Sequence, residues 1–126
     1  MRKIRIEAGS VTCAAELNES TCARVIWDAL PLGSQLDTWG EEIYFYIPVH
    51  HELEEDAQEV VNKGDLGYWP QGSAFCIFFG PTPMSQSDEI RPASAVNIIG
   101  KIAGNSSILR SVAPGEFIII EKAEDG

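Results

Sequence analysis

Three groups of side chains in this chain carry the residue types that chemistry needs. The first is His50-His51-Glu52-Leu53-Glu54-Glu55-Asp56, where imidazoles and carboxylates, the usual ligands of a divalent metal, crowd together. Adjacent histidines point apart on a strand and about 100° apart on a helix, so the stretch reads as a solvated acidic loop and no metal is assigned to it. The second is Arg91, set between Ile90 and Pro92 at the end of a proline-rich loop. Its guanidinium either holds a ligand carboxylate or carbonyl in a bidentate grip or forms an ion pair with Asp88, Glu89, Glu41 or Glu42. The third is aromatic. Trp39, Tyr44, Tyr46 and Phe78 can supply the apolar floor of a ligand groove, with Glu41, Ser85 and Asn97 as polar fixers. The same aromatics also suit ordinary packing beneath a loop or against another subunit. Trp27 and Trp69 are assigned to packing.

Other chemistries lack their signatures. There is no G-x-S-x-G, no G-x-G-x-x-G and no phosphate loop, and Ser85 and Ser87 have no histidine beside them in sequence. No catalytic residue and no cofactor is assigned. Cys13, Cys22 and Cys76 form no C-x-x-C pair, and their odd number cannot close into a disulfide framework. Each lies among apolar neighbours, where a free cysteine acts as a small buried hydrophobe, and a reducing cytoplasm is the expected compartment.

Charge narrows the partners. Nine basic against 19 acidic residues leave a net charge of −10, which repels phosphate backbones and anionic lipid headgroups. Neither nucleic acid nor a membrane is expected as partner, and no apolar run approaches the ~20 residues of a spanning helix. With 126 residues, 44% of them hydrophobic, the chain fits one domain, residues 1–126, around one core.

The elements that must position these groups are mostly strands. Ile4 and Ile6 alternate with Lys3, Arg5 and Glu7, then Gly9-Ser10 turns the chain into Val11 to Leu17, whose Val11, Cys13, Ala15 and Leu17 share one face. The period changes at Ser20, a helix cap. Cys22, Ala23, Ile26, Trp27, Ala29 and Leu30 recur at spacings of three and four until Pro31, predicting an amphipathic helix whose Ile26 and Leu30 plug an open end of the sheet. Strands follow at Ser34 to Thr38 and Glu42 to Pro48; in the second, Ile43, Phe45 and Ile47 face inward and Tyr44 and Tyr46 outward. After the acidic excursion come Leu66 to Trp69 and Ser73 to Phe79. The latter is apolar on both faces and so predicts a central, covered strand. A long loop from Gly80 to Pro92 with three prolines, a strand at Val96 to Ile102, a short helix or turn at Asn105 to Val112 and a last strand at Glu116 to Lys122 complete the chain. About eight short strands with one good helix suggest a closed antiparallel barrel, which leaves no edge to aggregate.

Two stretches resemble cyclophilins, the peptidyl-prolyl isomerases: Gly72-Ser73-Ala74-Phe75-Cys76-Ile77 and Val96-Asn97-Ile98-Ile99-Gly100-Lys101-Ile102. A closer resemblance, to a small family of uncharacterised prokaryotic cyclophilin-like proteins, runs through Trp39-Gly40-Glu41-Glu42-Ile43-Tyr44-Phe45, Gly64-Asp65-Leu66-Gly67-Tyr68, Phe78-Phe79-Gly80-Pro81-Thr82-Pro83 and Ile90-Arg91-Pro92-Ala93-Ser94. The resemblance implies a mainly β fold, a closed eight-stranded antiparallel barrel with one or two short helices capping its ends and a groove on its outer face. The isomerase residues are not matched. No arginine occurs between Gly33 and Pro48, Val96 stands where the groove histidine would be, Cys76 where a phenylalanine forms the proline pocket, and Ala74 where a glutamine would precede that strand's first phenylalanine, Phe75.

The expected function is therefore a binding module that holds a small molecule or an extended peptide in the outer groove, without efficient isomerase chemistry. One alternative is a divergent prolyl isomerase in which Arg91 or Arg110 replaces the missing arginine. Another is an interaction protein whose aromatic face is an oligomer interface; composition and pattern leave the oligomeric state open.

Overall fold

Period-two alternation drives the architecture. In the computed structural model, which describes residues 2–123, β1 (Arg2–Ala8) and β2 (Val11–Leu17) form the expected hairpin, with Ile4 opposite Ala15 and Ile6 opposite Cys13. Ile4, Ile6, Ala8, Cys13, Ala15 and Leu17 are buried, while Lys3, Arg5 and Glu7 face solvent. α1 (Thr21–Ala29) begins where Ser20 Oγ accepts the Ala23 N–H at 3.2 Å. It lays Cys22, Ala23 and Ile26 on the core against β2 and the strand Asn97–Ile102, with Leu30 partly buried beside them. Among the described residues no helix is long and apolar enough to cross a membrane.

The remaining strands are β3 (Leu32–Gln35), β4 (Asp37–Thr38), β5 (Glu42–Tyr46), β6 (Asp65–Trp69), β7 (Ala74–Phe78), β8 (Asn97–Ile102) and β9 (Phe117–Lys122). Short 3-10 turns at Pro70–Gly72 and Ser106–Ser111 interrupt them, the second where a helix or turn was expected. All pairings are antiparallel, in the order β3-β9-β1-β2-β8-β6-β7-β5-β4. The two ends of that order, β3 and β4, are successive pieces of chain, so the sheet curls into a nearly closed barrel with one seam.

Among the described residues, nine strands rather than eight result from a break at Leu36. Its N–H donates to the Glu116 carbonyl and its own carbonyl accepts the Gly115 N–H, both at 2.9 Å. The chain is thus still tied to β9's side at Leu36 and turns to β5 one residue later, so the expected single strand over Ser34 to Thr38 is two.

The inner face of β7, Phe75 and Ile77 with Phe79 just beyond it, belongs to the barrel core, and Phe75 stacks on Phe45 with ring centroids 5.3 Å apart. Its outer face, Ala74, Cys76 and Phe78, forms a second apolar layer with Val61, Ile90 and Val96. Two excursions bring those partners, residues 47–64 and 79–96, and isolated bridges clip them down at Gln58 to Val96 and at Val61 to Ile90. Burying each such side chain contributes about 1.5–3 kcal/mol, which lets long irregular segments lie fixed on the outside of a barrel.

Asn97, 0% exposed, is the peg of the first excursion: its Oδ1 accepts the Glu54 N–H at 2.7 Å and its Nδ2 donates to the Glu52 carbonyl at 2.9 Å. Tyr68 Oη donates to the Val49 carbonyl at 2.6 Å and accepts the His51 N–H at 3.3 Å. Asn97→Ala is expected to cost about 2 kcal/mol, because two backbone groups lose their partners but sit near enough to solvent to rehydrate in part. Urea unfolding measures the loss, and protease cleavage between residues 50 and 56 reports the loosened excursion.

Candidate functional site

Above the second apolar layer lies a cavity of about 310 Å³, lined by Trp39, Glu42, Tyr44, Trp69, Cys76, Pro92, Ala93 and Val96. Strand pairing explains the set. Tyr44 lies opposite Cys76 on the β5–β7 ladder and Trp69 opposite Ala74 on the β6–β7 ladder, so alternate residues of three adjacent strands point outward at the same level. Glu42, Cys76, Pro92 and Val96 are buried and form the floor; Trp39, Tyr44 and Trp69 are partly exposed and Ala93 is exposed, forming the rim.

The proline loop supplies one wall and is knotted by Ser85 and Thr82. Ser85 Oγ accepts the N–H groups of Thr82 at 2.9 Å and of Arg91 at 3.0 Å, and the Thr82 hydroxyl donates to the Arg91 carbonyl. Gly40, at φ 62, lies under this loop: a Cβ there would sit 2.9 Å from the Pro81 carbonyl oxygen and from Pro83 Cδ. Only glycine gives both the left-handed backbone and the close approach.

Glu42 is the one acid in the lining. It is 6% exposed, and its Oε1 has no hydrogen-bond partner. Burial pushes its carboxyl up to about 7, offset in part by the nearby Cys76 thiol. Among the described residues no lysine, arginine or histidine forms an ion pair with it. The Cys76 thiol is itself raised well above its ordinary value by burial and by Glu42, and the Tyr44 phenol is raised, chiefly by desolvation with Asp37 and Glu42 adding to it. The floor therefore carries a carboxyl poised near neutrality beside groups that stay protonated.

The polar atoms of two rim aromatics are already engaged. Trp69 Nε1 donates to Ser94 Oγ at 2.6 Å, and Tyr44 Oη reaches Asp37 Oδ2 at 3.4 Å.

Of the residues expected to form the groove, the cavity brings together Trp39 and Tyr44 and leaves the others elsewhere. Tyr46 shares the outward face of β5 but stands free at 57% exposed. Phe78, at 0% exposed, lies in the second apolar layer beneath the floor. Glu41 accepts from Arg110 Nε at 2.6 Å, away from the cavity, while its neighbour Glu42 lines it. Ser85 and Asn97 hold loops. Arg91 is paired with Glu89, Nε to Oε2 at 2.8 Å, and holds that carboxyl below its ordinary value, so the ion-pair alternative describes it.

The lining also includes residues that the aromatic pattern did not select. Trp69, assigned to packing, borders the second layer and also forms the rim. Cys76 and Val96 stand at the positions the cyclophilin resemblance reserved for groove residues, which was a signal for both, and Pro92 and Ala93 fall inside one of the quoted motifs. The paired histidines diverge: His50 Nδ1 is 2.9 Å from Ser73 Oγ and His51 Nε2 is 3.2 Å from Glu54 Oε2. Among the described residues no cluster of three or more His, Cys, Asp or Glu is arranged to hold a metal ion. All three cysteines are free and buried, and burial pushes the Cys22 thiol up to about 12.

Comparison with known proteins gives a family and a fold. The family model described as cyclophilin-like matches residues 2–121. The solution structure of a hypothetical protein from Archaeoglobus fulgidus is 45% identical, with a TM-score of 0.83 over 97% of this chain and 95% of that one. No functionally curated protein matches.

Proposed function

We propose, from the premise that this chain belongs to the cyclophilin-like family, that it is a binding module whose outer cavity holds a small molecule or one side group of an extended peptide. The observation that carries the reading is a cavity of about 310 Å³ with a mostly apolar lining and one buried acid on its floor. Preformed apolar concavity with a few placed polar groups is the general form of a small-ligand site. The buried free cysteines fit a reducing cytoplasm as the place where it acts.

Binding is favoured over isomerisation by where the arginines lie. Rotation about a prolyl amide faces a barrier of roughly 20 kcal/mol, and lowering it takes a donor aimed at the rotating amide. Arg91 is committed to Glu89 and Arg110 to Glu41, and neither lines the cavity. The floor instead presents an acid, the wrong charge for the electron-rich amide oxygen.

The test is an NMR titration of the full chain with compact organic solutes and with proline-containing peptides, read through the indole N–H signals of Trp39 and Trp69, with Trp27 as the reference outside the cavity. Saturable shifts at Trp39 and Trp69 and none at Trp27 are expected, together with no isomerase activity on the same peptides. The reading fails if no solute or peptide moves the two rim indoles.

A further inference from the structure

An acid buried with one oxygen unpartnered is costly to keep, and Glu42 faces a cavity rather than a protein cation. The surroundings say what would complete it. A metal ion needs several hard donors, but the cavity offers a single carboxylate beside a protonated thiol and aromatic rings. A hydrated alkali ion would have to shed water against apolar walls. An anion would meet Glu42 directly and a chain of net charge −10 on approach. An organic cation meets none of these objections: its alkyl surface suits Pro92, Ala93 and Val96, its charge suits the carboxylate, and electron-rich rings attract ammonium groups. With the Trp69 N–H and the Tyr44 hydroxyl already engaged, those residues have mainly ring surface left to offer.

We infer that the cavity selects a compact organic monocation, an alkylated ammonium group, seated among Trp39, Tyr44 and Trp69 with its charge against the Glu42 carboxylate. This rests on the reading of the cavity as a ligand site and deepens it by naming the class of ligand. The titratable groups that act on or beside Glu42 are the Cys76 thiol on β7, the Tyr44 phenol on β5 and Asp37 on β4 beside that phenol, while Arg91 on the proline loop is closed onto Glu89 and does not line the cavity. The thiol and phenol are raised and stay protonated, so Glu42 is the group whose charge changes near neutrality.

Choline and 3,3-dimethylbutan-1-ol make the decisive pair of probes, because they have the same shape and differ in the positive charge. Titrated into the full chain at pH 8 and followed at the Trp39 and Trp69 indoles, choline is expected to bind at least tenfold more tightly than the alcohol. From pH 8 to pH 6 its affinity should fall about tenfold as Glu42 takes up a proton. Glu42→Gln, which keeps the side-chain shape, should remove the preference for choline, bringing the ratio of the two affinities to within about twofold. Equal affinities for the two probes at pH 8, or tighter binding of the alcohol than of choline at that pH, overturn the cation assignment and leave the ligand site standing. Silence from both probes at the rim indoles overturns the cation assignment, and if every other solute is silent too, the ligand site falls with it.

Discussion

Glu42→Gln is expected to make the protein about 3 kcal/mol more stable at pH 8 and to leave its stability at pH 4.5 nearly unchanged. The sign follows from linkage. In the unfolded chain the Glu42 carboxyl ionises around its ordinary value of 4.5; in the folded protein burial holds it at about 7. Between those pH values the folded state carries the extra proton, so unfolding releases it and stability falls as pH rises, by about 1.4 kcal/mol for each tenfold drop in proton concentration. Above pH 7 the loss is complete. Glutamine has the same shape and nothing to ionise, so its curve lacks that decline. Urea unfolding of both proteins at pH 4.5, 6 and 8 measures the difference, and a gain of ~10 °C in melting temperature at pH 8 is the matching thermal result. A variant less stable than the parent at pH 8 would mean that the carboxylate has a partner within the fold. An acid that destabilises the fold at neutral pH is at odds with a purely structural role and accords with the proposed binding site.

Phe78→Ala should cost about 3–5 kcal/mol, the loss typical of truncating a fully buried phenylalanine, whereas Tyr46→Ala should stay within about 0.5 kcal/mol. Both aromatics lie on the outward side of the barrel sheet. Phe78 is 0% exposed, however, packed with Val61, Ile90 and Val96, and Tyr46 is 57% exposed. The void left by Phe78 opens beneath the excursions that build the cavity wall, so loss of stability and loss of the proposed ligand binding should appear together. Guanidinium unfolding separates the two variants, and comparable small losses would show that the outer layer does not pack as a core.

How much of this was legible in the sequence depends on how far apart the deciding partners lie. Ile4, Ile6, Cys13 and Ala15 announce their own faces, and Ser20 with Pro31 brackets α1, because alternation and capping are local. The two-sided apolar character of Phe75 to Phe79 correctly called for a covered strand. The break at Leu36 was not legible, since it is set by bonds to Gly115 and Glu116 at the far end of the chain. Within the site, the inward pattern of Ile43 and Phe45 already placed Glu42 on the outward face with Tyr44, yet Glu41 was the acid chosen; the period of two decides between neighbours. Trp69 needed the β6–β7–β5 ladders before it could be placed at the rim. Arg91 drew attention through its proline setting, but its partner, Glu89, is two residues away, and a local ion pair cannot be told from a ligand contact by spacing alone.

The ionisation of Glu42 tests most directly the claim that the outer cavity keeps an acid with no cationic partner in the fold. The side-chain carboxyl carbon, observed by NMR in the free protein from pH 4 to pH 9, should titrate with a midpoint near 7. A midpoint at or below the ordinary 4.5 would show the carboxylate already satisfied from within, and the cavity would lose its reason to take a cation.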